Sequence, residues 1–354
     1  MDIAEIDKNF KLQSTLDEKD IVWYNSHDSA FDIYGLYNPH DNVYYRRMPS
    51  EIAKSVSDGV AHLSCQTAGG RIRFSTDSNY IAIKYVGSCL AMAHMPSTGN
   101  TGFDLYIDGD NGSEYYRTFV PPTSFDKEYD RIIYLPVGKK YVTINFPLYN
   151  GVRELYIGVR EGSFVGEGKK YKYDKPVVYY GSSITQGGCA SRPGNAYQAI
   201  LSRMLDCDFI NLGFSGSGKG EKNMCDYIAS LDMSAFFMDY DHNAPNVDHL
   251  RATHEALYLT VREKHPDIPI IMASKSDDVK YDSFIPARRS VIYETYRKAL
   301  ERGENVYFID GQQIFGVEFR DCCTVDGCHP NDYGFVQMAK YFYPYLKRAL
   351  EKQR

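Results

Sequence analysis

The chain has 354 residues, long enough for two domains that each bury a core. Hydrophobic residues make up 43% and charged residues 24%, a globular balance, and a formal net charge of −6 offers no basic excess for nucleic acid or an anionic membrane. No uninterrupted apolar run approaches the roughly 20 residues of a membrane span. The opening MDIAEIDKNFKLQ carries acidic residues where a secretory signal has an apolar core, so a cytoplasmic protein is expected.

Residues 1–162 read as short strands separated by turns. GRIRFSTDSNYIAIKYVG (70–87) holds two alternating runs around a polar turn, the pattern of a hairpin. Further strands are expected at 103–108, 114–120, 130–136, 141–146 and 153–159, punctuated by Asp108-Gly-Asp-Asn-Gly112 and Pro121-Pro122. Many short strands with little helical period predict a β-sandwich. Most of the 31 tyrosines are expected on half-buried pleated surfaces, with stacking on sugar rings as the second reading. Residues 163–175, rich in Gly and Lys, read as an exposed linker.

From 176 to 354 the rhythm becomes strand, loop, helix. Strands are expected at 177–181, 208–212, 235–239, 269–273 and 305–309, and helices at 195–206, 221–231, 247–265, 287–302 and 332–351. Apolar strands alternating with amphipathic helices predict an α/β domain: a parallel five-stranded sheet with helices on both faces. Such a sheet carries its active site at the carboxyl ends of its strands.

The loops at those ends hold the chemistry. After the first strand comes Gly181-Ser-Ser-Ile-Thr-Gln-Gly-Gly188, after the second Asn211-Leu-Gly-Phe-Ser-Gly216, after the third Asp239-Tyr-Asp-His-Asn243, and before the last helix Asp326-Gly-Cys-His329-Pro330. These four blocks, in this order, resemble the SGNH (GDSL-type) hydrolase family. Gly102-Phe-Asp-Leu-Tyr106 resembles the GxDLY signature of the β-rich (jelly-roll-like) domain that precedes the hydrolase domain in a two-domain subgroup. The resemblance implies a flavodoxin-like catalytic sheet, no cofactor and an esterase activity, with acetylated carbohydrates as the subgroup's leaning.

Ester hydrolysis needs a nucleophile, a base and donors for the oxyanion. Ser183 stands where a strand turns into a helix, His329 is the candidate base, and Asp326 can accept from its other ring nitrogen. By resemblance, the oxyanion donors are the N–H groups of Ser183 and Gly216 and the side-chain amide of Asn243. Gly216 is expected to let the backbone approach substrate closely. The usual Gly-Asp-Ser is here Gly181-Ser182-Ser183, so Ser182 is the fallback nucleophile.

Three other readings compete. Cys322, Cys323, Cys328 and His329 could suggest zinc, but the second ligand pair of an ordinary zinc site is missing, so no metal is expected. Gly213-Phe-Ser-Gly-Ser-Gly218-Lys219-Gly220 nearly matches a phosphate loop, yet glycine at 220 lacks the hydroxyl that would coordinate magnesium. A carbohydrate-binding protein on a decayed hydrolase scaffold is disfavoured because Ser183, Asn243 and His329 are all present. The expected partner is an acetylated oligosaccharide, derived for example from mannan or xylan, with no nucleic acid or membrane. A lipase or thioesterase acting on other small acyl esters is the alternative, and a homo-oligomer is left open.

Overall fold

The computed structural model describes residues 14–276 and 284–352; the opening segment 1–13 lies outside the described residues. The first domain contains β1 (Ile21–Asn25), β2 (Asp32–Tyr34), α1 (Ser50–Val56), α2 (Asp58–Leu63), β3 (Arg71–Thr76), β4 (Tyr80–Gly87) and α3 (Ser97–Asn100). There follow β5 (Phe103–Gly109), β6 (Gly112–Phe119), β7 (Glu128–Tyr134), β8 (Lys140–Asn145), β9 (Val152–Arg160) and β10 (Val165–Glu167). They form two antiparallel sheets, ordered β1-β9-β4-β7 and β10-β3-β8-β5-β6, with β2 also paired to β3. Alternate side chains of both sheets, among them Ile72, Phe74, Ile81, Ile83, Val142, Ile144, Leu155 and Ile157, fill the space between them.

The expected hairpin at 70–87 is not one. β3 pairs with β8 and β10, whereas β4 pairs with β7 and β9 in the opposite sheet. Alternation cannot tell these arrangements apart, because both strands turn the same apolar residues into a shared core. A true hairpin is β5–β6, closed at Gly109 and Gly112 by the Asp108–Gly112 turn. Residues 163–175, read as a linker, hold β10, whose Val165–Glu167 pairs with Phe74–Thr76. Farther along, the Tyr171 hydroxyl accepts from Arg71 Nε at 2.9 Å and Lys170 bridges to Asp32 at 2.6 Å.

The second domain runs β11 (Val177–Gly181), α4 (Ser183–Gln186), α5 (Tyr197–Leu205), β12 (Phe209–Gly213), α6 (Lys222–Ala229) and β13 (Ala235–Asp239). It continues with α7 (Val247–Lys264), β14 (Ile270–Ala273), α8 (Phe284–Glu301), β15 (Val306–Ile309) and α9 (Asp332–Glu351). The strands lie parallel in the order β12-β11-β13-β14-β15, each within one residue of its expected span. Both faces are buried, as alternation along β11 shows. Val177 and Tyr179 join the core beneath α5 and α9, while Val178 and Tyr180 join the core beneath α6 and α7. The chain reverses its winding direction beside β11, and in sheets of this kind the binding crevice lies at that point, at the carboxyl ends of β11 and β13.

The domains share a buried polar seam. Arg47, 1% exposed, donates to the carbonyls of Leu63 and Gln66 in its own domain and of Asn211 and Gly213 in the other. Among the described residues no carboxylate pairs with it, and burial lowers its pKa to about 9. Asp104, from the GxDLY motif, accepts from Asn145 Nδ2 (2.8 Å), Arg192 Nη1 (2.9 Å) and the Gly194 N–H (2.9 Å). Tyr106 of the same motif accepts from Arg192 through its hydroxyl. Replacing Asp104 with Ala would strand these donors, so Asp104→Ala should cost about 3 kcal/mol of unfolding free energy. Urea denaturation checks this, and a loss below about 0.5 kcal/mol would show that the seam tolerates the missing acceptor.

Candidate active site

Ser183 opens α4 at the carboxyl end of β11. The preceding Ser182 caps the helix, its Oγ accepting from the Ile184 N–H at 3.2 Å, and is 1% exposed. This leaves Ser183 to face the crevice, with its Oγ 2.9 Å from His329 Nε2. Of the two serines, the structure brings Ser183 to His329 and Ser182 to the helix cap.

His329 sits in a tight loop before α9. Val325 N–H donates to the His329 carbonyl at 2.9 Å, and Asn331 caps the helix by accepting from the Gly334 N–H at 3.0 Å. Gly327, with φ near +80°, turns the chain so that Asp326 can double back on the residues after it. Asp326 Oδ1 accepts from the Cys328 and His329 N–H groups (3.0 and 2.7 Å), and Oδ2 lies 2.8 Å from His329 Nδ1. Burial works to raise the Asp326 carboxyl, but these hydrogen bonds outweigh it and pull its pKa down to about 2. The arrangement can hold the imidazole in the tautomer whose Nε2 lone pair faces the serine.

The other two blocks converge on the same crevice. Asn243 ends a 3-10 turn (Asp241–Asn243) after β13, and its Nδ2 donates to the Phe214 carbonyl at 2.8 Å, leaving a second amide hydrogen. Gly216 follows β12. The N–H groups of Ser183 and Gly216 have no acceptor among the described residues. Gly216 has a φ of +66°, in the left-handed region that favours glycine, and a Cβ there would meet no protein atom within 4 Å. Close approach within the protein occurs at Gly218, where a Cβ would come within 2.3 Å of the Gly181 carbonyl oxygen.

The loop that mimics a phosphate cradle spends most of its N–H groups on acceptors within the protein. Ser217 and Gly218 donate to Phe214 O, Lys219 to Glu221 and Gly220 to the Tyr180 hydroxyl. Cys328 is in hydrogen-bond contact with His242 Nε2 at 3.0 Å, and Cys322 is exposed whereas Cys323 is buried. Among the described residues these cysteines do not gather into a metal-ligating group.

Several contacts were not legible in the motifs. Tyr149 of the sandwich donates through its hydroxyl to the Ser183 carbonyl at 3.0 Å. Gln186 Nε2 donates to Gln66 Oε1 and the Leu148 carbonyl, while its Oε1 accepts from the Ser215 N–H at 3.1 Å. His94, also from the sandwich, stands against the His329 ring. A cavity of about 450 Å³ on the seam, lined in part by Arg71, Arg73, Tyr106 and Tyr171, includes neither Ser183 nor His329.

The architecture is that of an ester hydrolase. Residues 174–347 match the GDSL-like lipase/acylhydrolase family, and residues 21–165 match the GxDLY N-terminal region of SGNH-hydrolase-type esterases. The chain belongs to this GDSL-like (SGNH) family, in the branch with a GxDLY N-terminal domain. A chain described as a GDSL-like lipase of Bacteroides ovatus shares 28% identity, with a TM-score of 0.85 over 94% of this chain and 98% of that one. A salicylyl acyltransferase from a tetracycline biosynthetic pathway shares the fold at 21% identity and a TM-score of 0.77, covering 94% and 98% of the two chains. An acetyl xylan esterase of the rumen bacterium Butyrivibrio proteoclasticus does so at 13% and 0.58, covering 94% and 99%. No curated protein is significantly similar to the chain. No helix among the described residues is long and apolar enough to cross a membrane.

The Asp326 pKa has a consequence for stability. A carboxyl lowered by folding contributes stability that is fully present above its unfolded value and is lost as pH falls through the folded value. The stability difference between the wild type and Asp326→Asn should thus shrink as pH falls from about 4 to 2. Urea melts across that range measure it, and a difference that stays flat to pH 2 would mean the hydrogen bonds do not favour the charged form.

Proposed function

We propose that the chain is a serine esterase that removes acetyl groups from acetylated oligosaccharides through an acyl-enzyme intermediate. The observation that carries this reading is the Ser183 Oγ to His329 Nε2 contact of 2.9 Å, backed by Asp326 on Nδ1. His329 takes the serine proton as Oγ attacks the ester carbonyl, and Asp326 stabilises the imidazolium. The N–H groups of Ser183 and Gly216 and the free hydrogen of the Asn243 amide receive the oxyanion. His329 then protonates the leaving alcohol, and a water activated by the same imidazole releases acetate.

The carbohydrate substrate is supported by the attached sandwich and by the likeness to an acetyl xylan esterase and to a family two carbohydrate esterase of Clostridium thermocellum solved with cellohexaose. Mannan- and xylan-derived oligosaccharides are the substrates to test first. The same machinery would serve a lipase, a thioesterase or an acyltransferase, so acyl length and acceptor decide among them.

Ser183→Ala should fold normally and lose about 10³-fold or more in kcat, with His329→Ala comparable and the double variant little worse. Activity within about tenfold of wild type would remove Ser183 as nucleophile. Asn243→Ala should cost about 2.7–4 kcal/mol of transition-state stabilisation, read chiefly in kcat. A raised KM with unchanged kcat would make Asn243 a ground-state contact instead. On aryl acetate, butyrate and octanoate, kcat/KM should fall steeply with length, and acetylated manno- and xylo-oligosaccharides should release free acetate. Octanoate matching acetate, with no acetate released from any oligosaccharide, would leave a lipase or thioesterase. Acyl groups moved to an added alcohol in preference to water would mark an acyltransferase.

A further inference from the structure

The loop between β4 and α3 reaches out of the sandwich to the His329 loop. It is pinned at Leu90, whose N–H donates to Asn150 Oδ1 (2.8 Å) and whose carbonyl accepts from the Asn100 and Asn150 amides (3.1 Å each). Met92 and Met95 then pair as an antiparallel bridge, and the turn between them presents His94 to solvent. The His94 ring meets His329 edge to face, with centroids 5.5 Å apart and planes at 67°. One ligand atom each from His94, Asp326 and His329 lies within 4.8 Å of the others, the one such group among the described residues.

Two imidazoles and a carboxylate are a zinc-type donor set, with a fourth position left for water. Hard ions such as magnesium or calcium favour all-oxygen surroundings and fit it poorly. We propose that His94, Asp326 and His329 form an inhibitory site for zinc, through which the sandwich can switch off the neighbouring serine. The inference rests on the serine mechanism above, because zinc acts on its base. Zinc on His329 Nε2 would occupy the lone pair that must receive the Ser183 proton. Zinc on Nδ1 would displace the hydrogen held by Asp326 and leave the ring proton on Nε2, which again cannot accept. Only the Nδ1 mode also draws on the Asp326 carboxylate, which lies 2.8 Å from that nitrogen and on the opposite side of the ring from Nε2. No bond to substrate is involved, and removing the ion restores the original tautomer.

The test is a zinc titration of aryl-acetate hydrolysis by the full chain. Zinc should inhibit and EDTA should restore activity, while magnesium and calcium at the same concentration have no effect. His94→Ala and His94→Gln should keep the wild-type kcat/KM in EDTA. Losing even an outer-shell partner weakens metal sites 10–100-fold, so losing a direct ligand should raise the half-inhibiting zinc concentration by about tenfold or more. Calorimetry should find one zinc per wild-type chain, bound more weakly by both His94 variants. Unchanged zinc sensitivity in both variants would overturn the proposal. So would relief by Cys328→Ser in their place, which would put the metal on the thiol. A chain inactive even in EDTA would instead refute the esterase reading, and calorimetry would still decide whether His94 binds zinc.

Discussion

The buried polar seam between the domains is the constraint on which the site depends. A guanidinium or carboxylate taken out of water is tolerated only if it is fully hydrogen-bonded, so such groups accept few arrangements. Arg47 meets that demand with four carbonyls from both domains, and two of them, Asn211 and Gly213, belong to the strand end that leads to Gly216. Asp104 does so with Arg192 and Gly194, in the loop that follows the serine block. The apolar cores run together as well, since Leu148 and Tyr149 pack in one cluster with Tyr179 and Ile184. The sandwich is built into the catalytic domain rather than appended to it.

That seam gives the GxDLY motif a physical meaning. Leu105 points into the sandwich core, while Asp104 and Tyr106 face the other way and hold Arg192. The alternation of a β-strand delivers both functions from three adjacent residues. Tyr149 and Gln66 extend the same support to Ser183 and Gln186, so the short helix that Ser183 opens is braced from outside its own domain.

Within the catalytic domain, the doubly wound topology does the gathering. The strand order places β12, β11 and β13 side by side, so three loops far apart in sequence end at one edge. The His329 loop leads into the last helix and is tied to the serine loop by the Cys189 N–H on the Pro330 carbonyl at 2.8 Å. Asp326 is held by the backbone it precedes, which makes the acid–imidazole pair a local unit carried into place as a whole.

Sequence alone carries the sandwich class, the five parallel strands and the four blocks, because these follow from local periodicity and from residue types at strand ends. It also determined the Asp326–His329 pair, whose three-residue spacing closes on itself. What it left open were the relations between distant segments. The alternation at 70–87 satisfied two pairings, and only the shared core decided that β3 and β4 enter different sheets. Gly181-Ser182-Ser183 offered two candidate hydroxyls, and only the tertiary structure puts Ser182 on the Ile184 N–H and Ser183 beside His329. Arg47, His94, Tyr149 and Gln186 carry no motif at all. Their roles arise from contacts between residues far apart in the chain, which a linear pattern does not encode and the closing of one domain upon the other creates.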